Sequence, residues 1–187
     1  MKRIFCVFLV LLAICVVSVA GFAAEHTMMI STEKDVYEVG EKFSVSVVVA
    51  LANDEALFSI SSVISFDQTA LSVDKSGLAV SQLLQRVEML MLPLPLDSHE
   101  NLIGGAVSII NFASPDPVIT ANSYLTLSAE FEAITPGVFE LILPENPSSP
   151  GSAYSSSLMK RNASEIILVP STKINKTITI TKPEEVY

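Results

Sequence analysis

Three stretches of this chain alternate apolar and polar residues with a period of two, and that pattern constrains the fold more than any other feature. Phe43, Val45, Val47 and Val49 interleave with Ser44, Ser46, Val48 and Ala50. Phe58, Ile60, Ser62, Ile64 and Phe66 stand against Ser59, Ser61, Val63 and Ser65. Leu125, Leu127, Ala129 and Phe131 stand against Thr126, Ser128, Glu130 and Glu132. A period of two belongs to β-strands, whose side chains point to opposite faces in turn. A sheet with one greasy face has to bury it against a second layer, so the expectation is an all-β sandwich. Glu38-Val39-Gly40-Glu41 and Thr135-Pro136-Gly137 read as turns, the second leading into Val138 to Leu143 as a hairpin partner of the preceding strand. Ala106 to Phe112 is a continuous β-prone run, and Ile174, Ile178 and Ile180 share one face. One segment differs: Leu83, Leu84, Val87 and Met91 are spaced for a short helix within Leu78 to Leu92, stopped by Pro93 and Pro95.

The N-terminus begins Met1-Lys2-Arg3, runs apolar from Ile4 to Val17, and exits through Ser18-Val19-Ala20-Gly21-Phe22-Ala23-Ala24. That is the layout of a secretory signal peptide, expected to span residues 1–23 and to leave one domain over 24–187. Cleavage after Ala23 uses Gly21 and Ala23 as the small residues; cleavage after Ala20 would use Ser18 and Ala20. An uncleaved membrane anchor is the alternative. Both cysteines, Cys6 and Cys15, fall inside this leader. The exported domain therefore has no disulfide, thiol or cysteine–zinc chemistry open to it. No stable membrane insertion is expected after cleavage, and the destination is extracellular or the cell surface.

With 20 acidic against 11 basic residues, the formal charge is −9, which disfavours nucleic acid as a partner. The two histidines, His26 at an exposed mature N-terminus and His99 in a polar loop, lack the neighbours of a nucleophile–base pair. An enzyme is not expected. Asp74-Lys75-Ser76-Gly77 starts like a calcium loop, but Leu78 and Gln85 occupy positions five and twelve, so it reads as a turn; no metal or cofactor is expected. The chain has no Trp and its tyrosines are scattered, which argues against a flat aromatic platform for crystalline polysaccharide, while leaving a groove for a single sugar chain as an alternative. The run Met89 to Leu96 reads either as the cap of an open end of the sandwich or as an adaptable docking patch.

Taken in order, Val39 to Val45, Phe58 through Phe66-Asp67-Gln68-Thr69-Ala70-Leu71, Ala106 to Ala113, Leu125 to Phe131, Pro136-Gly137 and Ile178 to Ile180 resemble the cohesin domain. The resemblance implies a nine-stranded jelly-roll β-sandwich, here with one short helix. It also implies a non-catalytic role: cohesins dock dockerins, small modules that carry their own calcium, on polysaccharide-degrading enzymes. The contact positions it implies are Ser59, Ser61, Val63 and Ser65 on one strand, with Asn111, Ala113 and Ser114 on a second. Ser59 and Ser61 stand where cellulosomal cohesins often carry Asn and Asp, and Gln68 stands where they carry Pro. The alternatives are a carbohydrate-binding module of the same superfamily and a structural surface subunit.

Overall fold

The computed structural model describes residues 25–79, 86–92, 105–112, 118–145, 155–163 and 165–184, with side chains for all but 74–79, 86–92, 105–112 and 118. Every regular element among them is a strand: β1 (Thr27–Thr32), β2 (Val36–Glu38), β3 (Lys42–Ala50), β4 (Glu55–Ala56), β5 (Ser59–Phe66), β6 (Leu71–Ala79), β7 (Arg86–Leu92), β8 (Gly105–Phe112), β9 (Val118–Ile119), β10 (Ser123–Ala133), β11 (Gly137–Leu141), β12 (Ser157–Asn162), β13 (Glu165–Val169), β14 (Thr172–Ile174) and β15 (Lys176–Thr181). Two five-stranded sheets, ordered β14-β1-β3-β10-β6 and β13-β12-β5-β8-β7, form the layers of the sandwich. A three-stranded sheet, β11-β15-β2, continues beside β5 through a bridge between Ser65 and Ile142. The two-layer sandwich is the architecture the alternation called for, and its jelly-roll form is the one the resemblance implied. The strands are more numerous than nine, since several connecting segments pair over only two or three residues.

The core follows the alternation. Phe43, Val45, Val47 and Val49 of β3, Ile60, Ile64 and Phe66 of β5, and Leu127, Ala129 and Phe131 of β10 belong to one buried cluster. Its centre is aromatic. Tyr37 stacks on Phe43 with centroids 3.9 Å apart, and the Phe66 ring meets Phe131 edge-on at 5.0 Å. Glu38 to Glu41 form the expected turn: Glu41 N–H donates to the Glu38 carbonyl at 2.9 Å, and Gly40 sits at φ 86°, where a side chain would be strained.

Several expectations are corrected. The segment read as a short helix contributes strand β7, paired along its whole length with β8, from Arg86↔Phe112 to Leu92↔Ala106. Its apolar residues suit either period over so short a run, and the free edge of β8 decides between them. Asp74 to Gly77 is no turn between elements; it lies inside β6, where the register against β10 jumps from Glu130↔Asp74 to Ser128↔Ala79. The strand after Thr135-Pro136-Gly137 does not fold back on β10. It pairs with β15, from Gly137↔Ile180 to Leu141↔Lys176. The corner is tied elsewhere: Ile134 N–H donates to the Ala70 carbonyl at 2.8 Å, and the Thr135 hydroxyl to the Thr69 carbonyl at 2.7 Å. Ile174 parts company with Ile178 and Ile180, which are buried, and stands 46% exposed on β14.

Leu125 is a further correction. Between Leu125↔Val48 and Leu127↔Val47 the β3–β10 ladder skips Thr126, a β-bulge. The extra residue shifts the alternation, so Leu125 turns to solvent at 39% exposure while Thr126 is fully buried. Its hydroxyl is satisfied there, donating to the Val47 carbonyl at 3.2 Å and lying 2.6 Å from the Ser62 hydroxyl of the facing sheet.

Candidate docking sheet

Strand β5, which carries four of the seven positions singled out by sequence, lies at the centre of its sheet. One edge pairs with β8 over its full length, from Ser59↔Phe112 to Phe66↔Gly105. The other edge is closed by three different pieces. Strand β12 pairs with Ser59, Ile60 and Ser61; the Ser156 hydroxyl accepts from Val63 N–H at 3.0 Å and donates to its carbonyl at 2.9 Å; and Ile142 bridges Ser65. Ile60, Ser62, Ile64 and Phe66 face the other layer, so Ser59, Ser61, Val63 and Ser65 take the outer face, as the alternation requires.

That outer face is not open. Ser59 is 1% exposed, Ser61 and Val63 0%, and Ser65 6%. These four were expected as contact positions and, as the chain stands, have no surface to offer a partner. Alternation fixes which way a side chain points; it carries no information about what packs over it. Among the described residues the buried Ser59 hydroxyl has no hydrogen-bond partner, and a hydroxyl left in that state costs about 1–3 kcal/mol. The second strand of the expected site is brought alongside, since β8 neighbours β5. Asn111, however, falls opposite Ile60, whereas Ser59 and Ser61 face Phe112 and Ile110. Ala113 and Ser114 lie outside the described residues.

The open part of this face is at its far edge, which sequence reasoning missed. In register, Ser59 is followed by Met159 on β12 and Leu168 on β13, with Ile166 opposite Arg161 one step along. Leu158 and Val169 turn inward to the core, so Met159, Arg161, Ile166 and Leu168 share the outer side. Ile166 is 56% exposed and Leu168 45%, and among the described residues β13 pairs only with β12. An edge strand showing two large apolar residues is uncommon, because it invites pairing with another chain. The signal was present in the run Ile166-Ile167-Leu168-Val169, but nothing local marked it as an edge. The Arg161 guanidinium lies 4.0 Å from the Phe58 ring centroid, a cation–π contact that holds the charge beside this patch.

His26 is corrected as well. It is 7% exposed and anchored, not frayed. Ala52 N–H donates to its Nδ1 at 3.1 Å, which makes Nε2 the protonated nitrogen of the neutral ring, 3.3 Å from Glu55 Oε1. Lys160 Nζ lies 3.6 Å from the other Glu55 oxygen. This is a clasp that ties the residue before β1 to the loop after β3, to β4 and to β12. His99 lies outside the described residues. Among the described residues no three His, Cys, Asp or Glu side chains are grouped as a metal site.

No family model and no curated protein matches the chain. Solved structures do. The seventh ScaB type I cohesin from Pseudobacteroides cellulosolvens is 16% identical, with a TM-score of 0.57 over 86% of this chain and 96% of its own. A type II cohesin domain from the cellulosome of Acetivibrio cellulolyticus is 14% identical, with a TM-score of 0.58 over 82% and 95%. The Coh-OlpC–Doc435 type I cohesin–dockerin complex from Clostridium thermocellum gives 8% identity and a TM-score of 0.59 over 88% and 99%. Identities this low speak to architecture alone, and the architecture of this chain is that of a cohesin module.

Proposed function

We propose that the protein is an exported, non-catalytic docking module that receives a dockerin-like partner, in a setting of extracellular polysaccharide breakdown. The observation that carries the reading is the match, over nearly the whole described chain, to modules whose structures include complexes with dockerins. A rigid sheet suits docking, because little conformational entropy is lost when the partner arrives. Export rests on the leader at residues 1–23, and no helix long and apolar enough to cross a membrane occurs among the described residues. In this reading the calcium belongs to the partner.

The surface we assign is the open edge of the sheet, Arg161, Ile166 and Leu168, rather than the buried Ser59, Ser61, Val63 and Ser65. Ala113 and Ser114 remain the expected contacts from the second strand, whereas Asn111 shares the row of the inward-facing Ile60. The test is binding of the purified protein to a panel of calcium-loaded dockerin modules. Ile166→Asp with Leu168→Asp should weaken binding by about tenfold or more, since truncated or charged hot spots cost at least ~1.4 kcal/mol. Ser59→Ala should leave it unchanged, and Ser114→Asp reports on the second strand. Chelating the calcium should abolish binding. A panel in which no dockerin binds, with calcium or without, overturns the proposal.

A further inference from the structure

Two irregularities of the β14-β1-β3-β10-β6 sheet turn large apolar side chains to solvent in the same place. The bulge at Thr126 puts Leu125 on the outer face, opposite Val48. On β14, Lys173 pairs with the fully buried Met28 and so takes the inner row, which leaves Ile174 outward, opposite Met29. Met29 pairs in turn with Val48. The register thus lines up Ile174, Met29, Val48 and Leu125 as one apolar row across four adjacent strands. Met29 is 37% exposed, Ile174 and Leu125 more so, and Val48 is half-buried between them. Single apolar residues scattered over a surface are ordinary; a contiguous row of four is the mark of a contact.

The rows on either side are small and uncharged. Thr172, Thr27, Ala50 and Ser123 form one of them. Ser31, Ser46 and Ser128 form the other, where the Ser46 hydroxyl donates to that of Ser128 at 3.1 Å. Among the described residues of β3 and β10, charge on this face begins only beyond these rows, where Lys42 lies 3.3 Å from Glu130 and pairs in register with Glu132. Copies of a chain with net charge −9 repel each other over most of their surface, and this zone lets two of them meet without opposing charges. A basic partner would find no carboxylate on it. The zone is also self-complementary. A two-fold axis running along the apolar row maps one small-residue row onto the other, which is the condition for an isologous contact. The strands of the two copies then run antiparallel, and the Glu130–Glu132 ends point away from each other. Four strands ~4.8 Å apart and three rows ~6.8 Å apart cover about 400 Å² per copy. That is half of the ~800 Å² per partner in a standard interface, so the contact is weak.

We propose that this face pairs with a second copy of the chain to form a weak two-fold dimer. It belongs to the layer opposite the β13 edge and does not rest on the docking role. The test is analytical ultracentrifugation of the purified protein from about 10 μM to about 1 mM. The weight-average mass should rise toward that of a dimer, with a Kd on the order of 0.1 mM. Raising the salt from about 50 to about 500 mM should tighten the dimer, because it screens the repulsion between two acidic chains. Met29→Glu with Leu125→Glu, both at exposed positions, should weaken it by about tenfold or more while the urea midpoint shows the variant folded. Ile166→Asp with Leu168→Asp should dimerise like the unaltered protein, which keeps this test apart from that of dockerin binding. Glu132→Lys should change the Kd by less than about threefold; a gain of about tenfold would set the acidic ends face to face and overturn the arrangement. A protein still monomeric at about 1 mM, a dimer that survives Met29→Glu with Leu125→Glu, or one lost with Ile166→Asp and Leu168→Asp would each overturn the proposal.

Discussion

Thr126 occupies the extra place in β10, and its hydroxyl is the polar link between the two layers. Thr126→Val keeps the shape but leaves the Val47 carbonyl and the Ser62 hydroxyl buried without that partner. The expected loss is about 1–3 kcal/mol in urea denaturation, with an unchanged m-value. Lys173 makes a prediction of a different kind. Burial, partly offset by Glu145, holds its ammonium below the ordinary lysine value of 10.5. The folded state then gives up this proton before the unfolded state does, so between the folded pKa and 10.5 the unfolded chain binds more protons and stability rises with pH. Lys173→Met should flatten that alkaline rise in denaturation midpoints measured against pH. Lys34 has the opposite sign: its hydrogen bond to Glu41 raises its pKa, so its contribution is present below 10.5 and lost above it.

At the scale of elements, the informative cases are strands whose partners lie far away in sequence. Strand β11 leaves β10 through Gly137, at φ 156°, and a Cβ there would lie 2.7 Å from the Phe139 ring. Gly137→Ala should therefore cost about 1–3 kcal/mol in thermal or chemical denaturation, more than Gly40→Ala, where φ is unfavourable but the space is empty. The β12–β13 connection holds Ala163 at φ 54°, a conformation that favours glycine. Ala163→Gly should be neutral to stabilising by about 1 kcal/mol in equilibrium unfolding. The same edge shows what reading one strand at a time leaves out: β5 has the alternation, but β13 has the exposure.

The whole molecule is closed by parallel pairing of strands from its two ends, β1 with β14 and β2 with β15, around the aromatic centre of Tyr37, Phe43, Phe66 and Phe131. Phe131 touches both Phe43 and Phe66 and is fully buried. Phe131→Ala should cost about 3–5 kcal/mol in equilibrium unfolding, the highest of these substitutions. With no disulfide in the domain, that loss is expected to be uncompensated. The amino-acid order by itself determined which residues turn inward along β3, β5 and the part of β10 from Leu127 onward, and with them the two-layer architecture, because a period of two is a local property of extended backbone. Only the tertiary structure decided that Leu125 faces out and Thr126 in, that β11 joins β15, that Ser59 to Ser65 are covered, and that Lys173 stands inside. Each of those outcomes depends on which distant backbone groups pair to satisfy their hydrogen bonds, and that pairing is settled by the assembled sandwich rather than by neighbours along the chain.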